Sequence, residues 1–286
     1  MYALATALCW AVAVILFKRS GESFSPFGLN TFKNVVGLVL LGVTLPFAGG
    51  WTDAPAGHIA ALLASGAVGI GIADTLFFYS LNTLGAARQA IVDTSYSPVI
   101  VTLSFLLLGE RLEPLDGLGA ALIIGAMLLV VTRKPEGALP RKQVLLGVAA
   151  GLTAMVSMGA SIVVVKPLLD IYDVAFATLI RVIGGLAVLA LIFVVHGPSR
   201  RGAVEVFRPQ AAWRWAIPGS VMGAYLSLVF WIAGFKYNSA SVASILNQTT
   251  TLFIVLLAAA FLKEPLTPRR SAAVLLGFIG SVVVLL

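Results

Sequence analysis

Charge is scarce in this 286-residue chain: 11% of its residues are charged and 59% are hydrophobic. Ordinary soluble domains carry roughly a quarter charged residues. No single aqueous core hides so much apolar surface, so a soluble enzyme, a disordered chain and a secreted disulfide scaffold are excluded together. Cysteine is reduced to Cys9, which rules out an intrachain disulfide and a thiolate metal cluster. Histidine is reduced to His58 and His196, with no carboxylate or cysteine at ligand spacing, so no metal and no other cofactor is expected. A Walker-type glycine loop and an extramembrane domain are also missing, so ATP does not drive the protein directly.

What is present is apolar sequence in long runs. Crossing a bilayer core of ~30 Å takes about 20 residues of helix. Runs of that kind fall at 2–17, 27–48, 57–80, 86–108, 114–132, 144–167, 174–196, 213–234, 239–262 and 267–286. Turn chemistry separates them at Ser25-Pro26, Gly49-Gly50, Glu113-Pro114 and Gly197-Pro198. The expected fold is all-α, a polytopic membrane protein of ten transmembrane helices. The first run has no basic stretch before it and more membrane after it, so it reads as an uncleaved helix rather than a signal peptide.

The chain repeats itself. Offset by 148 residues, Lys18 falls on Lys166, Lys33 on Arg181 and Gly37 on Gly185. Offset by 154, Gly69 falls on Gly223, Asp93 on Asn247, Glu110 on Glu264 and Pro114 on Pro268. The change of offset implies a six-residue insertion, which the long seventh loop absorbs. Residues 1–133 and 144–286 read as two five-helix units joined by a linker at 134–143. Units with an odd number of spans lie upside down relative to each other, and inverted repeats mark secondary transporters with a site near the midplane.

The residues that carry a family likeness are Ala7-Leu8-Cys9-Trp10 in the first run and Leu108-Gly109-Glu110-Arg111-Leu112 before the fifth. The motif Leu262-Lys263-Glu264-Pro265-Leu266 before the tenth is its duplicate. With these motifs the whole chain resembles the ten-helix EamA-type branch of the drug/metabolite transporter superfamily. The resemblance implies transport of small metabolites, with amino acids and amphiphilic drugs among the substrate classes. Related four-helix exporters use an acidic residue in their first helix. None stands between Tyr2 and Phe17 here, so that mechanism does not carry over.

A net charge of +7 fits a cytoplasmic loop face better than nucleic-acid binding. Most Lys and Arg, among them Lys18, Arg19, Arg88, Arg133, Lys134 and Arg200, lie on the side reached by the loop after the first run. Only Arg111, Lys166 and Lys236 lie opposite. Positive loops stay inside, so the odd-numbered loops are expected in the cytoplasm and both termini outside an inner membrane. Family likeness implies the reverse orientation.

Four ionisable residues fall within spans: Lys33, Asp74, Asp93 and Arg181. Each costs roughly 2.5–3.5 kcal/mol at a helix centre, so they pair, face a water-filled cavity, or both. Lys33, Asp74 and Asp93 sit at compatible depths for a local network, with Arg181 across the midplane. Lys33 and Arg181, as repeat mates, suit a repeated scaffold contact or snorkelling better than a substrate contact. Asp93, whose mate is the neutral Asn247, is the candidate for coupling to protons. Pro98 frees the carbonyl of Thr94, and spacing of three and four residues puts Asp93, Tyr96 and Ser97 on one helix face. Asn247, Gln248, Thr250 and Thr251 form the equivalent polar stretch. The expected substrate site is Asp93, Thr94, Tyr96, Ser97, Asn247, Gln248 and Thr251, with Trp10, Tyr79 and Trp231 as walls. The competing reading is interhelical hydrogen bonding and aromatic packing alone. Gly147-x-x-x-Gly151 and Gly219-x-x-x-Gly223 suit packing within one chain, which leaves monomer and homodimer open.

The function expected is secondary transport of a small polar or zwitterionic metabolite, an amino acid or relative. One alternative is export of amphiphilic drugs or lipids on the same fold. Another is a lipid-modifying membrane enzyme using Asp170-x-x-Asp173, a pair that reads more simply as a solvated turn.

Overall fold

The computed structural model describes residues 1–84, 89, 92–93, 95–131, 140–195, 197–262 and 268–285, where every regular element is a helix. Thr94, Arg88, Arg133, Lys134, His196 and the stretch Lys263 to Leu266 lie outside the described residues, as does most of the expected linker.

Among the described residues six helices are long and apolar enough to cross a membrane. They are α1 (Tyr2–Ser20), α2 (Pro26–Thr44, continued by a tight turn to Phe47), α3 (Ala56–Leu84), α6 (Arg141–Ile171), α7 (Val174–Val195) and α9 (Trp213–Tyr237). Within the described residues the remaining expected runs contain α4 (Tyr96–Leu108), α5 (Pro114–Val131), α10 (Ala240–Asn247), α11 (Thr250–Leu262) and α12 (Pro268–Leu285). Helix ends follow side-chain chemistry. Ser25 Oγ accepts from the Gly28 N–H at 3.1 Å with Pro26 opening α2, and Ser239 Oγ accepts from Val242 N–H at 3.2 Å to open α10. Gly109, at φ 68°, closes α4 in the left-handed conformation that glycine tolerates.

Two departures from the sequence expectation stand out. α6 begins three residues before the expected 144–167 and ends four after it, with Pro167 near its last turns not stopping it. The seventh loop, read from the sequence only as the place of the insertion, contains a further helix, α8 (Gly197–Glu205). α8 packs on α2 and α7, burying Ala203 and leaving Arg200 and Arg201 exposed. Arg200 donates from Nε to the Phe193 carbonyl at 2.8 Å and from its terminal nitrogen to Val194, so the basic side chain closes the end of α7. α8 falls in the interval where the repeat offset changes.

Packing runs through small residues. Gly147 sits against Leu84 and Gly151 against Ser80 and Val92, bringing α6 onto α3. Gly219 and Gly223 receive Phe17, bringing α9 onto α1. Both spaced glycine pairs are therefore used inside one chain. Between the halves, the Glu110 carboxylate accepts from Ala240 N–H at 2.8 Å, Ser241 N–H at 3.0 Å and Ser241 Oγ at 2.9 Å. A carboxylate is well placed on the orphan amides at a helix N-terminus. Glu110→Ala should lower stability by roughly 1–2 kcal/mol, read as a lower melting temperature in detergent micelles, with Glu110→Gln losing less.

Candidate functional site

Helices break at equivalent places in the two halves. In the first, Ser95 turns back on Val92: its N–H donates to the Val92 carbonyl at 3.0 Å and its hydroxyl to the same oxygen at 2.7 Å. In the second, Thr249 does the same to Leu246, at 3.1 Å and 2.7 Å. Positions 95 and 249 are repeat mates. A hydroxyl that takes the carbonyl three residues back competes with the helical bond. In the first half Pro98 adds a missing N–H. In the second, Thr250 Oγ1 donates to Asn247 O at 2.7 Å, adding another back-bond without a proline.

A second matched pair of irregularities lies in α3 and α9. Both carry wide π-turns, at Ala67–Ile72 and Val221–Ser227, again one repeat offset apart. Such turns leave carbonyls short of partners, and in a membrane these must be met by protein. Asn30 of α2 meets them in the first half, its Nδ2 donating to Ile70 O at 3.2 Å and Gly71 O at 3.3 Å.

Both breaks and both π-turns border one cavity of about 400 Å³. Of the residues expected at the site, Trp10, Asp93, Tyr96, Asn247, Gln248, Thr251 and Trp231 line it, and so do Lys33, Asp74 and Arg181. Thr94 lies outside the described residues. Ser97 is buried and turned to the Ser244 hydroxyl at 3.4 Å, away from the cavity. Tyr79 is 44% exposed and borders an outer groove with Ser25, Thr75, Arg201 and Glu205. Residues the sequence reading did not single out also contribute: Thr6, Phe77, Gln89, Met155, Met158 and Ser227. Thr6, Gln89 and Ser227 carried a signal, a polar side chain within an apolar run.

The four charges are not equivalent. Lys33 Nζ meets Asp74 Oδ2 at 2.7 Å, with side chains 4% and 10% exposed. Asp93 is outside that pair; its Oδ1 accepts from Gln89 Nε2 at 2.7 Å, and its backbone carbonyl accepts from Gln248 Nε2 at 3.1 Å. Arg181 is wholly buried. Its guanidinium donates to the Ser65 hydroxyl, to the Ser161 carbonyl at 3.2 Å and to Ser161 Oγ at 3.4 Å. It also lies over the Trp231 ring at 5.6 Å. The Trp231 Nε1 donates to the Tyr96 hydroxyl at 3.0 Å, so the first residue of α4 fixes the indole that covers Arg181.

The arrangement offers both charge signs, an aromatic wall and several hydroxyl and amide groups in a space that fits a small metabolite. Among the described residues no cluster of His, Cys, Asp or Glu is placed to hold a metal ion. The EamA-like transporter family matches the sequence twice, over residues 1–132 and 145–286. A solved crystal structure shares the fold with a TM-score of 0.80 at 16% identity, covering 99% of this chain and 94% of its own. No curated protein matches.

Proposed function

The chain belongs to the EamA-like transporter family, a family of membrane transporters, and from that premise we propose that it is a secondary carrier for a small polar or zwitterionic metabolite, an amino acid or relative. The observation that carries the reading is the meeting of the paired helix breaks and paired π-turns at a single cavity. Interrupted helices at a repeat interface are how carriers expose backbone and polar groups to substrate within the bilayer. In this reading the chain crosses the inner membrane ten times as two inverted units, with the basic odd-numbered loops in the cytoplasm and both termini outside. One half rocks against the other, as a monomer or homodimer. Asp93, held by Gln89 rather than by a cation, is the group proposed to exchange protons as the cavity changes sides.

The test is uptake of a radiolabelled amino-acid panel into proteoliposomes, with and without an inward proton gradient. Saturable uptake of one or a few amino acids, stimulated by the gradient, is expected for the wild type, and Asp93→Asn should lose the stimulation. Uptake indifferent to the gradient in both proteins would remove proton coupling and leave the carrier. Accumulation of tetraphenylphosphonium without any amino acid would replace this reading with export of amphiphilic cations.

A further inference from the structure

The two halves treat their buried cation differently. Lys33 and Arg181 are repeat mates at an offset of 148, and Asp74 and Leu228 are mates at 154. Lys33 therefore has its carboxylate, while the position that would supply one to Arg181 holds leucine. Leu228 lines the same cavity. Among the described residues no carboxylate lies within salt-bridge distance of Arg181. Asp74 lines the same cavity as Arg181 but is already in contact with Lys33.

Neutral groups do not complete the arginine. Two serines, one carbonyl and an indole face surround it, and its Nε is buried with no hydrogen-bond partner. A buried cation left short of partners is costly, and guanidinium geometry suits a planar oxyanion. Asn247 borders the same cavity, with its side chain against the Tyr96 hydroxyl, and its Oδ1 is also buried without a partner. A buried donor atom and a buried acceptor atom, both bordering one cavity, are available to one ligand.

We infer that Arg181 anchors an anionic group of the transported molecule, a carboxylate or comparable oxyanion, which takes the place of the acid that Leu228 lacks. Asn247 Oδ1 accepts a hydrogen bond from an amine or hydroxyl of the same molecule. This rests on the carrier reading above and narrows it: an organic cation with no acidic group is excluded as substrate.

The test compares each radiolabelled amino acid of the panel with its carboxamide, its methyl ester and the corresponding decarboxylated amine. Only the acids should be carried. Arg181→Gln should raise the KM for the acid roughly 10–100-fold, and Arg181→Lys less. Since Arg181→Gln threatens folding, Leu228→Asp is the second variant. It supplies the missing repeat mate inside the protein, so it should keep or raise the melting temperature while cutting acid uptake at least about tenfold. Carboxamides carried as well as acids, or full acid uptake by both Arg181→Gln and Leu228→Asp, would overturn the anchor and leave the carrier intact. Accumulation of tetraphenylphosphonium with no acid carried would overturn both.

Discussion

Lys33→Met is expected to destabilise the protein by about 3–5 kcal/mol, and Asp74→Leu by a similar amount, while the double substitution recovers most of the loss. The ion pair spans α2 and α3 at 2.7 Å, and neither side chain sees much solvent. Removing one partner leaves a charge with little solvent to compensate it, and that penalty exceeds the value of the pair itself. Removing both replaces a desolvated pair with apolar contact against Phe78, over whose ring Lys33 lies at 5.8 Å. The neighbourhood sharpens the effect. Asn30 is one turn from Lys33 and holds the π-turn carbonyls of α3, so tilting α2 to hydrate a stranded charge also opens that seam. Thermal unfolding in detergent micelles, followed by tryptophan fluorescence, reads all three variants. Single variants that each cost under about 1 kcal/mol, or a double variant that costs their sum, would show that the pair is solvated and that α2 and α3 are joined by other contacts.

Much of the frame was legible because bilayer physics writes it in composition. Six of the ten expected runs return as long apolar helices, and the breaks at Ser25-Pro26 and Gly49-Gly50 fall where turn residues stand. Less legible were features that need three dimensions. The π-turns leave no periodic mark; Gly69 and its mate Gly223, which fall within them, were legible only as repeat mates. The kink at Pro98 could be anticipated from a missing N–H, but its partner at Thr249 has no proline and arises from hydroxyl back-bonding. α8 escaped because its nine residues are too polar for an apolar run.

For the site, spacing arguments worked only where the helix is continuous. Asp93 and Ser97 share a face on an unbroken helix, but the turn at Ser95 resets the rotation and sends Ser97 to Ser244. Tyr79 follows Asp74 by five residues on α3, about 500° of helix, or about 140° away, so its exposure was available from geometry. The expected network of three charges became a pair, because Gln89 took Asp93. Arg181 was placed across the midplane by symmetry, yet it borders the same cavity as Lys33. Pseudo-symmetry puts repeat mates on opposite sides of a shared centre, and long side chains reach that centre from both.

Gly66→Ala and Gly184→Ala are expected to be the most damaging single-methyl changes among the described glycines, abolishing transport and lowering the melting temperature sharply. A Cβ on Gly184 would enter the backbone of Leu63, and one on Gly66 would enter the backbone of Arg181. These glycines face each other across α3 and α7, where main chain lies against main chain. Overpacking in a core costs typically 1–3 kcal/mol when side chains yield; here the obstacle is a carbonyl that no rotamer change moves, so the helices must separate. Separation pulls Arg181 from Ser65 and Ser161, the groups that hold it at the cavity wall, and the substrate site is lost with the packing. Gly42→Ala and Gly57→Ala are the controls, since a Cβ at either position meets nothing within 4 Å. Gly42 lies within α2, where alanine is favoured over glycine by about 1 kcal/mol, so that variant should match or exceed the wild type in stability. Melting temperatures of the four alanine variants, with acid uptake measured in parallel, decide the point. If Gly184→Ala and Gly66→Ala melt and transport like the controls, α3 and α7 stand further apart than described, and Arg181 is not held at the cavity by this seam.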